Sequence, residues 1–162
     1  MFRVTDFTGR EIEFNCLSCS IAKHRIVPPG GMIYEDQFVT LAGDVEIPIE
    51  GFVILAPKRH VTSLNELTTL ERFHLMETLN TSVKALKDLG ICEKVQIFQE
   101  EKHHLHIWIL PVHPWMKNWK CGVKNFEGLL KIAKYRAVKK GIYDVMYSIQ
   151  RLKTYFKINV KK

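Results

Sequence analysis

Apolar and polar residues alternate along residues 2–14 about a break at Thr8-Gly9, which predicts a β-hairpin. A short helical stretch at Ile21-Ala22-Lys23 follows and is stopped by Pro28-Pro29-Gly30-Gly31. Residues 32–34 and 38–42 read as two short strands flanking a turn at Glu35-Asp36. The apolar run 51–57, bounded by Gly51 and Pro57, has the pattern of a buried strand. Thr68 and Glu71 form a capping box, each side chain satisfying the other residue's unpaired backbone N–H. Phe73, Met76, Leu79, Val83 and Leu86 then recur every three or four residues, and Gly90 stands at the left-handed cap position. This predicts one long amphipathic helix over 69–89. Strands are predicted at 95–98 and at 104–110, the second ended by Pro111. Helices are predicted at 126–138 and 142–156, separated by Lys139-Lys140-Gly141. Strands, a long helix, more strands and a helical tail imply an α+β fold on an antiparallel sheet.

The 162 residues, 46% hydrophobic and 25% charged, fit one domain with a short appendage and exclude wholesale disorder. No run of eighteen apolar residues occurs, so no transmembrane helix and no membrane partner are expected. The first residues lack the basic start and apolar stretch of a signal peptide, so a cytoplasmic location is expected. In that compartment the four cysteines are thiols or metal ligands rather than a disulfide frame. The net charge of +7 is unevenly spread: residues 117–162 hold 13 Lys/Arg and two acids, against 11 bases and 15 acids before them. Such a tail is either a solvated helix face or a surface for phosphate-bearing partners, nucleic acid among them.

The richest stretch is Lys102-His103-His104-Leu105-His106-Ile107-Trp108-Ile109-Leu110-Pro111. On a strand, His104, His106, Trp108 and Leu110 share one face, and Leu105, Ile107 and Ile109 share the other. The aliphatic set is the core face. Two imidazoles and an indole therefore line up on the opposite side, where an oriented neutral imidazole can act as nucleophile or proton shuttle. An exposed polar face of an edge strand is the alternative.

Here the sequence resembles the histidine triad (HIT) family, whose signature is His-x-His-x-His followed by two apolar residues. Cys16-Leu17-Ser18-Cys19 is similar to the family's early Cys-x-x-Cys, and Tyr34-Glu35-Asp36 with Phe38-Val39 to its first nucleotide-pocket strands. Asp44 falls at the acid that closes the second of these, and 51–60 is similar to the strand ending in Pro-Lys-x-His. The resemblance covers about residues 14–116. It implies a HIT-like fold, with an antiparallel sheet of about five strands and one long helix, in a nucleotide-binding unit over 1–116. A basic helical C-terminal extension over 117–162 follows it. It also implies a nucleotidyl hydrolase or transferase, with His106 attacking the α-phosphorus of a nucleoside phosphate ester, anhydride or phosphoramidate. The acceptor that orients His106 would be a backbone carbonyl on the same strand, and Asp44 would take the ribose hydroxyls. A homodimer through the long helix and a neighbouring strand is likewise implied.

Two departures accompany the resemblance. Trp108 stands at the third histidine, where an indole N–H can only donate and never act as acid or base. The loop before the strand lacks the family's Gly-rich stretch; Gln99 falls at a substrate-contacting asparagine, and Lys102 or His103 is left to replace phosphate ligands. A non-catalytic nucleotide- or RNA-binding module is the rival reading. The spacing of Cys16 and Cys19 is that of a zinc half-site, which needs two more ligands. By resemblance these are His60 and His104, giving a closed structural zinc. Two metal-free thiols, or a zinc held by His104 and His106, are the alternatives. Cys92 and Cys121 read as isolated thiols, His24, His74 and His113 as packing or surface groups. Trp115 and Trp119 either dock the tail or stack a base.

Overall fold

The computed structural model describes residues 1–101, 103–116 and 126–160. The chain begins with an antiparallel hairpin of β1 (Phe2–Thr5) and β2 (Glu11–Phe14), separate from the main sheet. Asp6 organises its turn by accepting from Thr8 and Arg10 backbone N–H groups and from the Thr8 hydroxyl. Helix α1 (Leu17–Ala22) follows. Strands β3 (Met32–Glu35), β4 (Val39–Gly43) and β5 (Val53–Pro57) come next, then α2 (Thr69–Asp88), β6 (Val95–Glu100) and β7 (His106–Pro111). The five strands form one antiparallel sheet in the order β3-β4-β5-β7-β6. The sequence closes with α3 (Phe126–Lys140) and α4 (Tyr143–Asn159). The α+β fold with a five-stranded antiparallel sheet is as the sequence implies.

The sheet separates two layers by strict alternation. Val39, Leu41, Val53, Leu55, Ile107 and Ile109 face one side, where Leu75, Leu79 and Leu86 of α2 and Val145, Ile149, Leu152 and Phe156 of α4 complete the core. Thr40, Ala42, Ile54, Ala56, His106 and Trp108 face the other side and line a pocket. Beside that pocket a second core cluster joins Ile47, Ile49, Phe52 and Leu110 to Leu129 and Ala133 of α3. Trp115 packs against this cluster, stacked on His113 with the Arg136 guanidinium 4.8 Å from its ring centre, so it docks α3. Trp119 and Cys121 lie outside the described residues.

The capping box of α2 forms as the sequence indicates. Its buried face differs. Phe73 and Met76 are 59% and 57% exposed, while Leu75, Thr78, Ser82 and Ala85 are buried with Leu79 and Leu86. The helix is wedged between sheet and α4, and close approach there favours small residues; Ser82 satisfies its hydroxyl on the Thr78 carbonyl. α4 is part of the same core. Ile149 is 2% exposed and sits against Gly30 and Gly43, Ser148 accepts from the Gly51 N–H, and Arg151 donates to the Leu89 carbonyl. The main core thus draws on residues from both sides of residue 116.

Candidate active site and metal centre

Cys16 has extended backbone at the N-cap of α1, and Cys19 stands one turn on, so both thiols project to one side. His60 lies just beyond β5, in a turn held by Arg59, which is bidentate on Glu71 at 2.8 Å and donates to the Glu66 carbonyl. The helix cap therefore anchors the segment that carries His60. Leu105 N–H donates to the Val61 carbonyl and brings His104 beside it. Cys16, Cys19, His60 and His104 converge, with one ligand atom each and all within 4.8 Å of one another.

The donor set and its spacing fit zinc. Nδ1 of His104 lies 3.3 Å from Cys16 Sγ and 3.4 Å from Cys19 Sγ, and Nδ1 of His60 lies 3.2 Å from Cys19 Sγ. A tetrahedron with Zn–S of about 2.3 Å and Zn–N of about 2.1 Å has S···N edges of about 3.6 Å. His104 Nε2–H donates to the Pro57 carbonyl at 2.9 Å, which leaves the Nδ1 lone pair aimed at the sulfurs. Burial lowers the pKa of His104, favouring the neutral ring that a metal requires. Burial, then the hydrogen bond and charge of Cys16, push the Cys19 thiol up to about 11. Two thiolates side by side repel, and a dication is the charge that reconciles them.

The pocket on the same sheet face has a volume of about 390 Å³. His106 is half-buried in its wall. Its Nδ1–H donates to the carbonyl of His104 at 2.9 Å, so the lone pair is on Nε2. Trp108 lies two residues along, its ring 5.7 Å from that of His106 and edge-on to Phe52 at 6.0 Å. Asp44 lines the pocket from beyond β4; its Oδ1 accepts from Ile47 N–H at 2.7 Å and Glu46 N–H at 2.8 Å. Burial raises this carboxyl to about 6 against those two donations.

The structure brings His104, His106, Trp108 and Asp44 to one pocket and Cys16, Cys19, His60 and His104 to one cluster, with His104 in both. Gln99 stands apart: it pairs with Ile107 across β6 and β7, on the sheet face that carries the main core. Lys102 lies outside the described residues. Tyr34 and Asp36 are not among the pocket's lining residues; Asp36 holds the β3–β4 turn through Phe38 and Val39 N–H and His74 Nδ1. The hairpin supplies a wall that sequence reasoning missed. Phe2, Val4 and Phe14 line the pocket, and the Phe2 ring lies 5.4 Å from His103. Alternation marks residues 2–14 as a hairpin, but nothing local says where it docks.

No family model matches the chain. An uncharacterized HIT-like protein of Methanocaldococcus jannaschii is 26% identical over 130 residues, 76% of this chain and 89% of that protein. Among solved structures, a Zn-bound histidine triad family protein from Mycobacterium smegmatis superposes with a TM-score of 0.64 at 15% identity, covering 89% of this chain and 94% of that one. A hypothetical histidine triad nucleotide-binding protein from Sulfolobus tokodaii gives 0.53 at 20% identity, covering 79% and 98%. The chain carries the HIT-like fold and is similar in sequence to the archaeal HIT-like protein.

Proposed function

We propose that this chain is a HIT-family nucleotidyl hydrolase or transferase that works through a nucleotidyl-histidine at His106. The observation that carries the reading is the His106 Nδ1–H···O=C hydrogen bond to His104, with the ring in the pocket wall. It fixes the tautomer and makes Nε2 the nucleophilic nitrogen. The Nε2 lone pair forms a bond to the α-phosphorus, and the bond to the leaving group breaks with its electron pair. Water or another acceptor then attacks the phosphorus and releases the nucleotide from nitrogen. Asp44 accepts from the ribose hydroxyls and orients the nucleoside. Trp108 donates its indole N–H to the phosphoryl group but moves no proton.

Zinc fits the cluster of Cys16, Cys19, His60 and His104, where it would supply a structural cross-link. These ligands tie α1 to the residue whose carbonyl orients His106, so the cluster positions the nucleophile. A homodimer is supported by the exposed Leu70, Phe73 and Met76 on α2 and by β6 as a sheet edge with Ile97 half-exposed. Trp108 favours a second reading, a nucleotide-binding module without turnover.

Adenosine 5′-phosphoramidate and diadenosine tetraphosphate separate the two. The enzyme reading expects AMP release by the parent and none by His106→Ala. Equal release by both overturns it, and tight nucleotide binding without release transfers the assignment to the binding module.

A further inference from the structure

We propose that the outer face of α4, with the end of α3, is a docking surface for single-stranded nucleic acid. The inward face of α4 is consumed by the core through Val145, Ile149, Leu152 and Phe156. Its outward stripe runs Tyr143, Tyr147, Arg151, Thr154 and Ile158, at intervals of three and four residues. Tyr143 is 73% exposed and Tyr147 53%, and their rings stack at 5.9 Å with only 9° between planes. The Arg151 guanidinium sits 5.7 Å from the Tyr147 ring centre. A groove of about 330 Å³ continues past Gln150 and Thr154 to Leu89 at the end of α2. On α3, exposed Tyr135 has the Lys139 ammonium 5.8 Å from its ring centre.

Two exposed tyrosines stacked on each other with a guanidinium beside one, and a third under an ammonium, are more than a solvated face needs. α4 carries Arg151, Lys153 and Lys157 against Asp144, and Lys139 and Lys140 end α3, so the surface is cationic. Exposed π-faces flanked by cations match a ligand that offers bases and phosphates together. A duplex hides its base faces and would use the charge alone. The α4 part of the surface lies on the sheet layer opposite the pocket of His106, so docking there is separable from the chemistry, whereas α3 packs beside the pocket.

The test measures fluorescence anisotropy of a labelled twelve-nucleotide RNA of mixed sequence with the full-length protein. Binding is expected with a log–log salt slope of about −2, as for about three phosphates on a single strand. The pair Tyr143→Ala and Tyr147→Ala is expected to weaken it by at least about fivefold per ring, because stacking on each is lost. The pair Tyr143→Phe and Tyr147→Phe keeps the rings and should bind as the parent does. Arg151→Gln should flatten the slope by about 0.7. Tyr143 and Tyr147 are exposed and Arg151 is half-buried on the Leu89 carbonyl, so parent-like melting of each variant confirms that it folds. Equal binding of a twelve-base-pair duplex, parent-like binding by the alanine pair, or binding to phosphatidylserine vesicles but not to RNA each overturns the proposal.

Discussion

Asp44→Asn should make the empty protein more stable and its nucleoside site worse. The carboxyl of Asp44 is carried from 3.8 to about 6 by burial, because the two backbone N–H groups on Oδ1 do not replace the water it loses. Holding it ionised therefore costs the folded state about 3 kcal/mol at pH 8, an upper bound. The sign follows from proton uptake. Between about pH 4 and 6 the folded protein binds more protons than the unfolded one, so stability falls as pH rises through that window and is flat above it. Asparagine keeps the Oδ1 acceptor and removes the charge. The variant should melt about 5–10 °C above the parent at pH 8, and the gap should close towards pH 4. Its affinity for adenosine monophosphate should drop about tenfold, since ribose hydroxyls lose a charged acceptor. Differential scanning calorimetry across pH 4–8 with parallel titration calorimetry reads both effects. A melting difference independent of pH, or a variant less stable at pH 8, would refute the reasoning.

Other perturbations test separate parts of the account. Cys19→Ser should abolish stoichiometric zinc by elemental analysis and lower the melting temperature, and in the parent zinc affinity should weaken steeply as pH falls, because binding releases the thiol proton held at about 11. Ile149→Ala should cost about 2–5 kcal/mol in urea unfolding, because the side chain fills the space over Gly30 and Gly43. A near-neutral result would mean that α4 is not part of the core. Glu71, held at about 2 chiefly by Arg59, contributes stability above its ordinary 4.5 that is lost as pH falls towards 2. Arg59 is about half exposed, so Glu71→Gln should cost only about 1 kcal/mol at pH 7 and nothing near pH 2.

What could be read from the chain and what could not divides along the range of the interactions. The capping box at Thr68 and Glu71, the hairpin turn at Gly9 and the alternating histidine strand are local, and local chemistry decides them. The pairing of Cys16 and Cys19 with His60 and His104 came from the resemblance, and the structure brings the four together. Periodicity misread the buried face of α2, because packing against α4 selects Thr78, Ser82 and Ala85 over the larger Phe73 and Met76. The side of the sheet on which Gln99 falls depends on the register of β6 against β7, which no residue of β6 announces. The hairpin's place over the pocket and α4's place in the core are contacts between residues far apart in sequence, and hydropathy carries no address.

The central claim is that His106 becomes covalently nucleotidylated. The most direct measurement is intact mass of the zinc-loaded protein quenched seconds after mixing with adenosine 5′-phosphoramidate, with peptide mapping to locate any adduct. A gain of one adenylyl group is expected on the peptide bearing His106, absent in His106→Ala and lengthened in lifetime where hydrolysis is slow. Substrate turnover with no adduct at any quench time, or an adduct that persists in His106→Ala, would contradict it.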